Sequence, residues 1–468
     1  MFVAEPGDVL LTLVALALIG AVALHVVLYK RHVRAVWGWL ALVTLSPFFG
    51  GILYLILGIN RVHRIARHLP LALPPPAGDP EPIVPRALAD LARLIGETSH
   101  RPLRAGNQIA LLIDGDEAYP AMLEAIRGAT SSVWLETYLF DVDAWGRRFI
   151  DALHQAQQRG IQVRVLIDGV GAQYSAPTAL SVLRRRGVEV AAFPWSPMPW
   201  RWTALNLRNH RKCTLVDERI AFVGGMNIRA HHVLSEPHRC PTRDMMLRLE
   251  GPIVPDLGSV FRGDWAYATG EALPELSAPP QRSPSGGAIV RALPDGPDGD
   301  IDVAWWALLG ALACARRSVR IATPYFLPEA ELLTALSTAA LRGVQVDLVL
   351  PARNNLPYMS WAAMAEAPEL VAHGVRIWLA PPPFDHSKLV VVDSSWLLVG
   401  SSNWDARSLR LNFELDVECY DPQLAGRVAQ LLDERRDRAH RLTTEELQAR
   451  STLLQLRDRL VRLAKPYL

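Results

Sequence analysis

Two stretches of this chain repeat the same reactive side chains at the same spacing. The first reads Arg208-Asn209-His210-Arg211-Lys212-Cys213-Thr214-Leu215-Val216-Asp217 and closes with Gly224-Gly225-Met226-Asn227. The second reads His386-Ser387-Lys388-Leu389-Val390-Val391-Val392-Asp393 and closes with Gly400-Ser401-Ser402-Asn403. In both, Lys follows His by two residues and Asp follows Lys by five, and the copies lie 176 residues apart. The apolar, β-branched run after each Lys is a strand pattern, and residues two apart on a strand share a face. His210 with Lys212, and His386 with Lys388, are therefore expected to face one site together. An imidazole beside an ammonium suits a phosphoryl group, because the imidazole can attack phosphorus while the cation holds its oxygens. The glycines let backbone approach a ligand closely, and Asn227 and Asn403 add neutral donors. One copy is half a site, and two copies brought together make a whole one.

These residues, with Asn403-Trp404-Asp405-Ala406-Arg407-Ser408 and Leu411-Asn412-Phe413-Glu414, resemble the duplicated His-x-Lys-x4-Asp signature of the phospholipase D superfamily. The wording is most similar to that of the bacterial cardiolipin synthases, over nearly the whole chain. The resemblance implies that one histidine forms a phosphohistidine while the other protonates the leaving alkoxide and then activates the acceptor. It places the nucleophile at His210 and the acid/base at His386, although the near-symmetry of the motifs allows the reverse. Lys212, Lys388, Asn227 and Asn403 would hold the non-bridging oxygens. Asp217 and Asp393 complete the catalytic signature, and are expected to brace the motif more than to react. Asp244 and Glu414, 170 residues apart, would join Asn227 and Asn403 in the binding set, each supporting a catalytic histidine as a carboxylate fixing an imidazole tautomer does. No metal or cofactor is expected, since the lysines supply the charge.

The elements that must position these groups begin at the membrane. Val9 to Tyr29 is an apolar run without Asp, Glu, Lys or Arg, and Ala35 to Ile59 is a second, interrupted by Pro47 and Gly50-Gly51; each is long enough to span a bilayer. Two N-terminal transmembrane helices forming a hairpin at residues 1–68 are the expectation. A cleaved signal peptide is disfavoured by the absence of a basic residue before the first run. Lys30, Arg31 and Arg34 lie between the runs, against Arg61, Arg64 and Arg67 after them, so the positive-inside count is tied. The family resemblance implies a bacterial inner membrane, multi-pass, with the catalytic region cytoplasmic.

Residues 69–104 read as a Pro-rich spacer and a short helix. Ala121–Phe140 then parallels Ala307–Phe326, and Arg159–Val163 parallels Arg342–Val346. Helix, strand, helix, strand and motif strand recur in that order, which predicts an α/β fold: two pseudo-symmetric lobes, 105–272 and 288–440, with mainly parallel or mixed sheets. Residues 273–287 are the predicted linker between them, and 441–468 a basic amphipathic helix, opened by a capping box at Thr443–Glu446 and docked on its own domain or resting on anionic headgroups.

A net charge of +2 across 468 residues gives no footprint for nucleic acid, which weighs against a superfamily nuclease. Four scattered cysteines, Cys213, Cys240, Cys314 and Cys419, lack metal-ligand spacing and are expected to be buried thiols. His63, His231, His232 and His238 likewise lack partners at ligand spacing. Pro194–Trp202 and Trp378–Phe384 are apolar, aromatic and Pro-rich, and are expected to receive acyl chains or dip into the interface. Taken with the membrane runs, the resemblance implies transfer of a phosphatidyl group between two phosphatidylglycerol molecules, giving cardiolipin and glycerol. A hydrolytic phospholipase D is the alternative, and intact motifs in both copies argue against an inactive scaffold. Oligomeric state is left open.

Overall fold

The computed structural model describes residues 6–30, 33–58, 82–194, 207–274, 287–297 and 302–465, in two compact units, Met1–Ile65 and Ala66–Leu468.

In the first unit, α1 (Pro6–Tyr29) has 24 residues, about 36 Å of helix against a hydrocarbon core of about 30 Å. It is the one described helix long and apolar enough to cross a membrane. The second expected run is broken into α2 (Val33–Leu45), α3 (Pro47–Leu53) and a π turn, Tyr54–Gly58. The break falls at Ser46, whose φ of −144° is what a following proline imposes: the ring disfavours helical backbone before it and donates no N–H. These helices pack through Val22, Val26, Val43 and Tyr54, with the Tyr54 hydroxyl 2.7 Å from His25 Nδ1. Gly51 allows close approach there, since a Cβ would come within 2.4 Å of the Leu18 side chain. Residues 59–81, with the end of the second run and most of the Pro-rich spacer, lie outside the described residues.

In the second unit, the first lobe contributes β1 (Arg104–Ile113), β2 (Ser132–Thr137), β3 (Gln162–Asp168), β4 (Val190–Phe193), β5 (Arg208–Asn209), β6 (Cys213–Val216), β7 (Ile220–Gly224), β8 (Thr242–Arg243) and β9 (Met245–Glu250). The second contributes β10 (Ala288–Asp295), β11 (Ser318–Ala322), β12 (Phe326–Leu327), β13 (Gln345–Pro351), β14 (Arg376–Ala380), β15 (Phe384–Asp385), β16 (Leu389–Val392), β17 (Trp396–Gly400), β18 (Trp404–Asp405), β19 (Asn412–Tyr420) and β20 (His440–Arg441). One sheet runs β20-β14-β13-β11-β16-β17-β19-β10-β1-β9-β7-β6-β2-β3-β4. Read outward from its centre, each half repeats the same order of seven strands, the second adding β20 at its edge, so the sequence repeat is a structural repeat joined by antiparallel pairing of β1 with β10.

Of the two expectations, mainly parallel or mixed, the sheet is mixed. Along this path β2-β3-β4 and β11-β13-β14 are parallel, as helical crossovers require, and the short β5 pairs parallel with β19; the motif strands β6 and β16 turn tightly into β7 and β17 and so pair antiparallel. The crossover helix Ala144–Gln158 buries Trp145, Phe149, Leu153 and Ala156 at helical spacing. The short helix expected after the spacer is Ala89–Ser99, which packs Leu91, Ala92 and Ile95 into the core of the second lobe, beside Ala307, Leu308 and Ala311. Residues 275–286 of the expected linker fall outside the described residues.

The expected single C-terminal helix is two. Thr443 and Glu446 form the capping box of a five-residue helix, Thr444–Gln448, and Ser451 caps a new one, Thr452–Leu463.

Candidate active site

Each motif strand crosses to the other lobe before its histidine. β5 pairs with β19, and the His210 amide donates to the Phe413 carbonyl at 2.8 Å. β15 pairs with β8, and the His386 amide donates to the Arg243 carbonyl at 2.8 Å. The carboxylates follow the same crossing. His210 Nδ1 lies 2.8 Å from Glu414 of the second lobe, and His386 Nδ1 lies 2.8 Å from Asp244 of the first. Both imidazoles line one cleft of about 980 Å³, with Asn227 and Asn403.

Buried arginines hold the crossings in place. Arg211 spans from the Asp264 carboxylate to the Glu414 carbonyl, and Arg435 joins Asp385 and the Ser387 hydroxyl. The Asn227 side-chain oxygen accepts from the Leu139 amide at 2.9 Å, which leaves its NH2 for another acceptor. Asn403 sits 3.2 Å from the Ser408 hydroxyl through Nδ2, while its Oδ1 is buried without a partner among the described residues. Turning that amide would let Ser408 donate to Oδ1 and free the NH2, reproducing the Asn227 arrangement.

The glycines do different work from that expected. A Cβ at Gly225 would come within 2.6 Å of the Asp244 carboxylate, and one at Gly400 within 2.0 Å of that of Asp416. They make room for buried carboxylates rather than for a ligand.

Lys212 and Lys388 are buried under their own histidines. The Lys212 ammonium donates to the His210 carbonyl, and that of Lys388 donates to the His386 carbonyl at 2.6 Å, lying 3.0 Å from both nitrogens of that ring. Asp217 and Asp393 are elsewhere. Neither is among the residues lining the cleft. Asp217 accepts from the amides of Thr130, Ser131 and Ser132, and Asp393 from those of Arg316, Arg317 and Ser318. Each ties the far end of its motif strand to the turn before the neighbouring strand, the bracing place expected of it.

The electrostatics break the near-symmetry. Burial, and then the lysines, hold His210 down to about 4 despite Glu414, and hold His386 well below its ordinary value. Burial would raise Glu414, but the His210 and Lys212 interactions outweigh it and its net shift is downward. Asp244 behaves oppositely, for burial pushes it up to about 7 against the pull of Lys388. Near neutrality the Glu414–His210 pair is thus carboxylate and neutral imidazole, with Nδ1–H donated and Nε2 bare, while the Asp244–His386 pair holds one more proton below about 7. Burial also lowers Lys212 to about 7 and Lys388 to about 8, and an anion placed among these groups would raise all of them.

Several cleft residues were not anticipated: Arg208, Arg229, Arg239, Arg353 and Arg407, with Tyr138 and Tyr325. Scattered arginines give no spacing signal, and the net charge conceals them. Cys240, expected buried, is exposed and lines the same cleft. Of the aromatic segment before the second motif, Pro382, Pro383 and Phe384 form cleft wall. Trp378 lies half-buried away from the cleft, donating to Asp347 at 2.7 Å beneath Arg436 and Arg441. Residues 195–206, holding most of the other aromatic segment, lie outside the described residues.

Residues 122–239 and 308–436 match the family described as "Cardiolipin synthase, PLD-like domain". The chain is 32% identical over 458 residues to cardiolipin synthase A of Pseudomonas entomophila (strain L48), covering 95% of each. It is 33% identical over 414 residues to a cardiolipin synthase of Geobacillus thermodenitrificans (strain NG80-2), covering 85% of this chain and 82% of that one. The crystal structure of a phosphatidylserine synthase from Haemophilus influenzae Rd KW20 superposes with a TM-score of 0.61 at 18% identity, over 81% of this chain and 100% of that one, which establishes a shared fold. Two motif strands exchanged between two copies of one lobe, with sequence similarity along almost its full length, place this chain in the bacterial cardiolipin synthase family of the phospholipase D superfamily.

Proposed function

We propose that the chain is a phosphatidyltransferase that joins two phosphatidylglycerol molecules into cardiolipin and releases glycerol. The observation that carries the mechanism is the crossed pairing of His210 with Glu414 and of His386 with Asp244 around one cleft. His210 Nε2 attacks phosphorus, and the proton held by the His386–Asp244 pair passes to the departing glycerol alkoxide. His386, then proton-deficient, takes the proton from the hydroxyl of the second lipid, whose oxygen displaces His210. Lys212, Lys388 and the two asparagine NH2 groups stabilise the charge on the non-bridging oxygens. A neutral nucleophile and a proton-bearing partner are what the division of labour needs, and the opposite shifts of Glu414 and Asp244 supply them.

In this reading α1 crosses the bacterial inner membrane, and residues 33–58, packed on α1 through Val43, Tyr54 and Gly51, form a kinked second crossing. A hairpin of this kind keeps the N-terminus and the catalytic unit on one side, here the cytoplasmic side. The test is the protein in liposomes with radiolabelled phosphatidylglycerol as sole lipid, beside His210→Ala. Cardiolipin and glycerol appearing together, only with His210 intact, is the expected result. Phosphatidic acid with glycerol would make water the acceptor and the enzyme a phospholipase.

A further inference from the structure

The last helix, Thr452–Leu463, is docked the wrong way round for a soluble protein. Its inward face is polar: Asp458 is 2% exposed and paired with Arg450 and Arg457, while Arg462 and Lys465 reach Glu366 at 3.3 and 3.5 Å. Of its apolar residues, Val461 packs inward, against Leu327, Met359 and Ala362. The opposite face carries Leu453, Leu456, Leu460 and Leu463, which are 79%, 53%, 56% and 73% exposed. Those positions recur at i, i+3, i+7 and i+10, one stripe along a helix of about 18 Å. Arg459, exposed, and Arg457, over the Trp361 ring at 4.3 Å, flank it. A core helix buries its leucines and exposes its charges; here ion pairs fix the helix, and the leucines are spent on something outside the unit.

We propose that this stripe is a membrane-surface dock that inserts among the acyl chains of an anionic phospholipid monolayer and brings the cleft to its substrate. Three observations favour a lipid surface over another occupant. Arg459, exposed beside the stripe, matches anionic headgroups, as in helices lying in the interface plane. The helix is fixed by Glu366 and Trp361 to the helix Pro357–Ala372, whose first turn supplies Tyr358 and Met359 to the cleft wall, so an inserted stripe sets the orientation of the cleft mouth. And α1 is long and apolar enough to tether the chain to a bilayer, where a weak second contact acts at high effective concentration. The inference rests on the phosphatidylglycerol reading for the purpose of the dock, not for its existence.

The experiment uses the full-length protein in phosphatidylglycerol vesicles holding a trace of phospholipid with a photoactivatable diazirine on its acyl chain, with adducts mapped by mass spectrometry. Adducts are expected on 452–463 as well as on α1, and in much lower yield on 452–463 in vesicles of zwitterionic lipid. The quadruple variant Leu453→Ser, Leu456→Ser, Leu460→Ser, Leu463→Ser should lose the 452–463 adducts and about tenfold of its rate on vesicle lipid, while keeping its rate on monomeric dihexanoyl phosphatidylglycerol within about twofold, which also shows that it folds. Adducts confined to α1, an equal loss of both rates, or crosslinks joining residues 452–463 of two copies would each overturn the proposal. A wild-type protein that makes no cardiolipin but still yields adducts on 452–463 would sink the substrate reading and leave the dock standing.

Discussion

At His210 and His386 the sequence is symmetric and the chemistry is not. The difference comes from their carboxylate partners: Glu414 is held below its usual range, whereas Asp244 is pushed up to about 7 by burial. A poor leaving group such as glycerol needs a proton, and a good one such as p-nitrophenol does not. On a p-nitrophenyl phosphodiester lipid, His386→Ala and Asp244→Asn should therefore still release a burst of p-nitrophenol, while losing roughly 10²–10⁴-fold on phosphatidylglycerol. His210→Ala should lose both. A burst that survives His210→Ala and disappears in His386→Ala would exchange the roles. The pH dependence of kcat/KM follows from the same groups. His210 must be neutral, which gives an acid limb near 4. Lys212 and Lys388 must be charged and the His386–Asp244 pair protonated, so the rate should fall as pH rises through 7 to 8. Asp244→Asn should remove its share of the alkaline limb and leave the acid limb in place; an unchanged profile with full activity would take the proton away from this pair.

At the scale of elements, the motif is a strand with a reactive end and an anchored end. Asp217 and Asp393 adopt left-handed backbone at φ 52° and 51°, a conformation Asp tolerates better than most residues, and collect the amides that precede β2 and β11. Asp217→Ala should cost about 1–3 kcal/mol, since it strips three amides and two hydroxyls of one acceptor. Calorimetry should register this as a Tm lower by a few degrees, with kcat of the folded enzyme within about tenfold. A dead enzyme of unchanged Tm would mean that Asp217 does chemistry. The repeat, the helices and the β-branched motif strands were all legible because each is a local pattern. The antiparallel pairing of β6 and β16 was legible too, in the short turn that follows each, but helix-strand alternation outweighed it. The crossing of β5 and β15 was not legible, because two-residue pairings such as Arg208 with Asn412 leave no periodicity. Nor was the direction faced by the C-terminal leucines, since an apolar stripe at helical spacing looks the same whether it is buried or exposed.

At the scale of the whole molecule, the sequence draws two lobes and the structure builds one catalytic unit. The lobes share a sheet through β1 and β10, the helix Ala89–Ser99 from the first half of the chain fills the core of the second, and Arg211 links the Asp264 carboxylate to Glu414. Neither histidine has its carboxylate within its own lobe. The covalent connection at 273–287 should therefore be dispensable once folding is complete. A specific protease site placed between 275 and 286, cleaved after purification in detergent, should leave two pieces that co-elute and retain most of the transferase activity. Each piece expressed alone should be inactive and unstable, because separation exposes the β1–β10 edge and strips each imidazole of its partner. Fragments that part under native conditions, or one lobe active by itself, would mean that each lobe holds a complete site, and the crossed histidine–carboxylate pairs would lose their claim to be the catalytic arrangement.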